Sequence, residues 1–275
     1  MQDMRAALDS FEIEDDSIIL THSSLKAPGL TEGGADGVIK AIADTVPNGT
    51  VVFPTLSQTN WGTVYEDWSL DRPSDVGFIS ETFRTKYATH RSDNATHSVA
   101  AMGKLAKELT DGHAYGPIRY GLFGDHAFSA NSPWQRMFDS RMNYGVRAYL
   151  LFWGVNMRYN TFKHFSEYRY INHLLNQIRN NEKRAEMKAK LYHYPYDSKS
   201  PDFFACFYSS ENFMKILEEE GLLRRAKLGK SELILCDTYE ATARVEKAML
   251  EETETMFFGK NIEWMNEAKA AAKNG

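Results

Sequence analysis

Apolar positions along the chain follow two periods in turn. Ile18–His22 is a short apolar run behind the acidic Glu14-Asp15-Asp16 and predicts a β-strand. A loop rich in Ser, Pro and Gly follows from Ser23 to Gly34. Ala35–Thr45 then shows helical spacing, with Val38, Ile39 and Ile42 on one face. Asn48-Gly49 signals a turn, and Thr50–Phe53 is a second apolar strand closed by Pro54. Strand, loop, helix, turn and strand make a βαβ-like unit, which places the chain in the α/β class.

Residues 55–75 have no periodicity, and an irregular stretch of that length in a compact domain points to a functional loop. Ile79–Tyr87 predicts a helix and Ser98–Met102 a short strand. Ala148–Val155, which reads AYLLFWGV, is apolar enough for a central strand. Thr161–Leu175, Glu211–Glu220 and Tyr239–Glu254 predict helices, with Ser231–Cys236 a short strand between the last two. The charged stretch Asn180–Lys190 predicts a solvated helix face or a loop. Neither a Pro/Ser/Gly-rich linker nor an internal repeat interrupts the pattern, so residues 1–275 are expected to form a single domain.

Composition narrows the function classes. With 43% hydrophobic and 25% charged residues the chain is an ordered globular protein. No apolar run reaches the ~18 residues of a membrane-spanning helix, and the acidic N-terminus lacks the apolar core of a signal peptide. A cytosolic protein is expected. The net charge of −5 argues against duplex nucleic acid as a partner. It suits a cationic substrate, although net charge speaks first to solubility. The two cysteines, Cys206 and Cys236, argue against a disulfide framework or a cysteine zinc site and read as buried structural thiols.

Three segments carry candidate chemistry. In the first, His22-Ser23-Ser24-Leu25-Lys26 leads through Pro28-Gly29 to Gly33-Gly34 and a helix. A strand that runs into such a loop can gather N–H groups, hydroxyls and a Lys26 charge around an anion. It has neither the Walker nor the GxGxxG spacing, and a phosphate site and a plain turn stand level. In the second, His164 and Glu167 are three residues apart in the predicted helix, close enough for the carboxylate to fix the imidazole tautomer and raise its basicity. A surface His–Glu pair is the competing reading. Thr161 is placed to cap that helix. In the third, Arg91-Ser92-Asp93-Asn94-Ala95-Thr96-His97-Ser98 reads locally as a loop. His90, His113, His126, His173 and His193 are scattered without metal spacing, and no metal is expected.

Taken in order, THSSLKAPGLTEGGADGVIKAI at 21–42, GTVVFPT at 49–55 and RPSDVGFISETFR at 72–84 resemble the aminoglycoside 3-N-acetyltransferase family. RSDNATHSVAAMG at 91–103 is similar to its Arg-Ser-x-His-Pro-x-x-Ser segment, and NSPWQRMF at 131–138 to its Ser-Pro-x-x-x-Leu segment. LLFWGVNMRYNTFKHFSE at 150–167 is similar to its Leu-Leu-Gly…Asn-Thr-x-x-His-x-x-Glu segment. The resemblance runs from about residue 15 to about residue 260. It implies a layered α/β/α fold with a mixed sheet, distinct from the GNAT fold. It also implies direct transfer of acetyl from acetyl-CoA to an amine of an aminoglycoside, a cationic small-molecule partner, at the 3-N position.

By the resemblance, His164 matches the catalytic histidine, with Glu167 and Thr161 the flanking Glu and Thr. His22, Ser23, Ser24, Leu25 and Lys26 match the loop that holds the phosphopantetheine and phosphates of CoA. Thr55, Gly77, Phe78 and Ser98 match positions along the cofactor channel. An oxyanion donor is expected from Thr161 or the Ser23–Ser24 loop, and acceptor contacts from the 57–75 loop with Trp61, Tyr65, Glu66, Asp67, Trp68 and Asp71. The chain departs from the family pattern twice. Asn94-Ala95 stands where the family has His-Pro, and Arg158 where it has an acidic residue. The second departure opposes a polycation by like-charge repulsion. The same chemistry on another amino sugar or secondary metabolite is therefore an alternative. A catalytically silent CoA-binding or interaction protein is a third.

Overall fold

The computed structural model describes residues 2–29, 33–57, 68–113, 127–192, 210–257 and 260–273. Among the described residues seven strands form one mixed sheet: β1 (Ile18–Ser23), β2 (Thr50–Pro54), β3 (His90–Arg91), β4 (Val99–Gly103), β5 (Ala148–Trp153), β6 (Arg224–Leu228) and β7 (Ser231–Asp237). Their order is β3-β4-β2-β1-β5-β7-β6. The central trio β2-β1-β5 is parallel, with Ile18 in register with Thr50 on one side and Ala148 on the other. The flanking neighbours β4 and β7 run antiparallel to it. The expected mixed sheet is therefore found.

Strict alternation along the strands splits the core in two. Ile19, Val51, Tyr149, Leu151, Trp153, Leu233 and Leu235 face one layer. That layer is built from α1 (Gln2–Asp9), α2 (Gly34–Thr45) and α3 (Phe78–Lys86). Ile18, Leu20, Val52, Leu150, Phe152, Ile234 and Cys236 face the other. It comprises α4 (Ala106–Thr110), α5 (Pro133–Phe138), α6 (Ser140–Tyr144), α7 (Phe162–Gln177), α8 (Asn181–Tyr192), α9 (Ser210–Glu219), α10 (Thr238–Glu251), α11 (Thr253–Met256) and α12 (Lys260–Lys273). Both faces of β1, β2 and β5 are covered, which is why those strands read as continuous apolar runs.

The expected helices lie within a few residues of their predicted ends, with one exception. Tyr239–Glu254 was expected as one helix, but the chain leaves helical geometry at Glu252 (φ −127°, ψ 43°) and resumes in α11. Beyond the break Met256 and Phe257 are buried, Phe257 stacked on Tyr170 at 5.6 Å. The Arg91–Ser98 segment, read as a loop, starts inside β3 and forms the turn of the β3–β4 hairpin.

The site follows from the connections. β1 and β5 are parallel neighbours, yet β1 leads to α2 on one face while β5 leads to α7 on the other. The chain therefore parts outside the carboxyl ends of these two strands, and α/β sheets open a binding crevice at such a point.

Candidate active site

A cleft of about 1110 Å³ lies at this edge. It is walled by the Thr21–Ala27 end of β1, the start of α3, the Gly154–Thr161 connection and the first turn of α7. Pro54 at the end of β2, Leu56 beyond it, His97 and the Ser231–Glu232 end of β7 also line it.

The α7 end is built by side chains of its own connection. Thr161 was expected to cap the helix with its hydroxyl, and it does not. Its backbone is already helical (φ −68°, ψ −27°), so its side chain turns toward His22. Asn160, held extended just before it, accepts the Phe162 N–H at 2.9 Å and does the capping. The Thr161 N–H donates to His22 Nε2 at 3.0 Å, and Thr161 Oγ1 lies 3.1 Å from the same nitrogen. A backbone N–H can only donate, so His22 Nε2 is an acceptor and its proton sits on Nδ1. His22 thereby ties the end of β1 to the start of α7, its ring stacked on Phe152 at 5.3 Å.

His164 lies in the first turn of α7 and on the cleft wall. Its Nδ1 is 2.6 Å from Glu167 Oε2, and both side chains are buried. The surface-pair alternative is thereby removed. Burial pushes the His164 imidazole well below its ordinary range, with help from the Lys163 ammonium and His97. Lys163, itself buried, donates from Nζ to the Arg158 carbonyl at 2.9 Å. Burial first and Lys163 second push His22 down to about 3.

The third segment contributes a residue that sequence reasoning missed. Asn94, standing where the family has histidine, is buried and accepts the His97 N–H at 2.8 Å and the Thr96 N–H at 3.2 Å. This small turn sets His97 on the cleft wall, its ring centroid 6.3 Å from that of His164. His97 packs on Phe128 at 4.8 Å, and burial with the nearby His113 pushes it down to about 3. Its only sequence signal is its position just before a predicted strand. His113, one of the scattered histidines, is a buried brace. Its Nε2 donates to the Ala127 carbonyl at 3.0 Å, so its Nδ1 accepts from Ser92 Oγ at 2.9 Å.

Of the residues matched to the cofactor channel, His22, Ser23, Ser24, Leu25, Lys26, Gly77 and Phe78 line the cleft. Thr55 and Ser98 do not. They are fully buried and bonded to each other (3.2 Å between hydroxyls), joining the ends of β2 and β4 beneath it. Gly77, at φ 134°, lets the chain turn sharply into α3 and sets Phe78 at the cleft mouth, 70% exposed. Trp68 and Asp71 of the expected acceptor loop are described. Arg91 caps that loop with hydrogen bonds to the Leu70 and Thr55 carbonyls and packs over the Trp68 ring at 4.8 Å. Trp61, Tyr65, Glu66 and Asp67 lie outside the described residues, as do Cys206, His126 and His193.

Gly154 closes the wall between β5 and the β1 loop. Its φ is 66°, and a Cβ there would sit 2.9 Å from Pro28 Cδ. Gly154→Ala is therefore expected to lower unfolding free energy by about 1–3 kcal/mol. Denaturant midpoints compared with the parent chain measure the loss, and an unchanged midpoint would show that the loop yields freely.

Among the described residues no group of His, Cys, Asp and Glu could hold a metal ion, and no helix is long and apolar enough to cross a membrane. Residues 20–250 match the family model described as aminoglycoside 3-N-acetyltransferase. A prophage-derived aminoglycoside N(3')-acetyltransferase-like protein of Bacillus subtilis (strain 168), YokD, is 30% identical over 173 residues. That match spans 55% of this chain and 58% of the relative. The fold is shared with the apoenzyme of aminoglycoside acetyltransferase AAC(3)-IVa, at 18% identity, TM-score 0.68, and 99% and 96% coverage of the two chains. It is also shared with AAC-IIIb, solved with CoASH, at 19% identity, TM-score 0.67, and 92% and 96% coverage. With the family model spanning most of its length, the chain belongs to the aminoglycoside 3-N-acetyltransferase family.

Proposed function

We propose that the chain is an acetyl-CoA-dependent N-acetyltransferase that acetylates the 3-N amine of an aminoglycoside by direct transfer, with His164 as general base. The observation that carries this reading is the buried His164–Glu167 pair, 2.6 Å apart, in the wall of the switch-point cleft. Family membership supplies the reaction class. Such a reaction draws on cytosolic acetyl-CoA, the compartment expected for the chain.

The β1 side of the cleft suits the cofactor. Ser23 and Ser24 offer hydroxyls, Leu25 an apolar contact and Lys26 a charge for phosphate. Two buried polar atoms of that strand end, Thr21 Oγ1 and His22 Nδ1, lack a hydrogen-bond partner among the described residues, as expected beside a site that a ligand completes. Gly77 and Phe78 line the same cleft. When bound, acetyl-CoA supplies an acyl group activated as a thioester.

The chain's own residues then hold and move one proton. With Nδ1–H donated to Glu167, the His164 lone pair is on Nε2, and that nitrogen takes the proton from the acceptor amine. Glu167 steadies the imidazolium that forms. Burial and Lys163 keep the resting imidazole neutral, which is the form a base requires. The Thr161 N–H is committed to His22, so oxyanion stabilisation falls to the hydroxyls of Ser23 and Ser24. A thiol relay gains no support from Cys236, which is buried in the sheet with its thiol pushed up by burial.

Arg158, exposed on the cleft wall, favours a second reading: the same transfer to an amino sugar or secondary metabolite that is not an antibiotic. A panel of amines with acetyl-CoA tests both, read as CoASH release. Intersecting initial-rate lines and a 3-N-acetylated kanamycin or gentamicin are expected for the main reading. Parallel lines would point to a covalent intermediate and overturn direct transfer. CoASH release on none of the amines would favour the catalytically silent alternative.

A further inference from the structure

Among the described residues, the charged side chains on the cleft wall are mostly cationic. The wall's one carboxylate is Glu232, and Arg225 Nη1 already bonds that carboxylate at 2.5 Å. Glu167 lies behind His164 and is engaged by it. Against these stand three cations: Lys26, Arg158 and Lys163. Lys26 sits with the β1 loop assigned to the cofactor, and Lys163 is buried with its ammonium on the Arg158 carbonyl. Arg158 is different. Among the described residues its guanidinium makes no hydrogen bond or ion pair, and its side chain is exposed.

The backbone that carries Arg158 is nevertheless fixed. Asn156 Oδ1 accepts the Arg158 N–H at 3.0 Å, and the Tyr159 and Asn160 N–H groups close on Asn156 and Met157 carbonyls at 3.1 and 3.0 Å. Met157 is buried in the core, which anchors the turn from below. The next residue, Tyr159, is 62% exposed and also lines the cleft. A rigid turn thus presents a guanidinium fork beside an aromatic ring, four and three residues before the first residue of the helix that carries His164. Such a fork matches a planar carboxylate or a phosphate, and a ring of that kind stacks on a sugar face.

We propose that Arg158 binds an anionic group, carboxylate or phosphate, on the amine acceptor, so that the preferred substrate is an amino sugar carrying negative charge. The proposal rests on the second reading above, acetyl transfer to an amino sugar that is not an antibiotic, and names the acceptor class for that same site. The other source of an anion in the cleft is a phosphate of CoA, and the test separates the two.

Four probes decide it: kanamycin, glucosamine, glucosamine 6-phosphate and muramic acid, each with acetyl-CoA and read as CoASH release. Glucosamine 6-phosphate or muramic acid should exceed glucosamine in kcat/KM by about 10–100-fold, the worth of one charge-assisted contact. Arg158→Gln should abolish that advantage while KM for acetyl-CoA stays unchanged, and Arg158→Lys should keep part of it. A rise in KM for acetyl-CoA alone would assign Arg158 to the cofactor and overturn the proposal. So would a preference for kanamycin that Arg158→Gln leaves intact. If no amine releases CoASH, the acetyl-transfer reading fails. Calorimetry on the CoASH-loaded protein then decides the acceptor proposal separately. Tighter binding of glucosamine 6-phosphate than glucosamine, lost in Arg158→Gln, supports it, and equal binding overturns it.

Discussion

Replacing His164 with alanine is expected to lower kcat for acetyl transfer by about 10²–10⁴-fold, the usual worth of a general base. The Kd for acetyl-CoA should barely move. His164 lies at the start of α7, whereas the residues assigned to the cofactor lie on the β1 loop and the start of α3. Loss in kcat without loss in cofactor affinity marks a group that acts in the transition state rather than in binding. Glu167→Gln divides the pair's two duties. A glutamine carbonyl can still accept Nδ1–H and hold the ring, but it brings no charge to the imidazolium. Its loss should therefore be smaller than that of His164→Ala and confined to kcat. Full turnover in His164→Ala would remove this residue from the role.

Mild acid should destabilise the fold steeply. Three imidazoles line the cleft: His22 and His97 are pushed down to about 3, and His164 well below its ordinary range. Each stays neutral in the folded chain while its unfolded counterpart protonates near pH 6.5. Below that pH the unfolded state holds more protons, so stability falls as pH falls. The stabilisation is fully present above about pH 6.5 and is lost progressively toward the folded values. Each neutral imidazole removes about 1.4 kcal/mol per pH unit in that window. Together they remove roughly 4 kcal/mol per unit, a large share of the ~5–15 kcal/mol that typically holds a domain together. Urea midpoints between pH 7.5 and 5 measure the slope, and His97→Gln should make it shallower by about a third. A flat profile would show that the imidazoles are not held neutral.

How far the sequence reveals this architecture depends on how local each determinant is. β1, β2 and β5 are legible because helices cover both of their faces, which leaves an uninterrupted apolar run in each. β6 is hidden because it is an edge strand. Its Arg224, Arg225 and Lys227 face solvent or half-buried ground, and only Leu228 is fully buried. α1 is short, and its Met4, Ala7 and Leu8 are too few to stand out. The same rule governs the site. His164 and Glu167 meet because they are three apart on one helix, a relation that spacing expresses directly. His97 reaches His164 through the pairing of β2 with β4, Pro54 opposite Val99, and through an Asn94 turn. Nothing in its neighbours along the chain carries that information. The capping error at α7 is a matter of one residue, since Asn160 and Thr161 are both competent caps and backbone conformation chooses between them.

The opposite departures of α2 and α7 from neighbouring strands have an evolutionary corollary. Because the crevice arises from chain topology, the core does not have to be hollowed out to make it. Exposed positions on its rim, Phe78, Arg158 and Tyr159 among them, can be exchanged without opening a void beneath. Such positions tolerate substitution at little thermodynamic cost. The rim turn ahead of α7 can therefore change its side chains while the buried His164–Glu167 pair in the first turns of the helix keeps its packing.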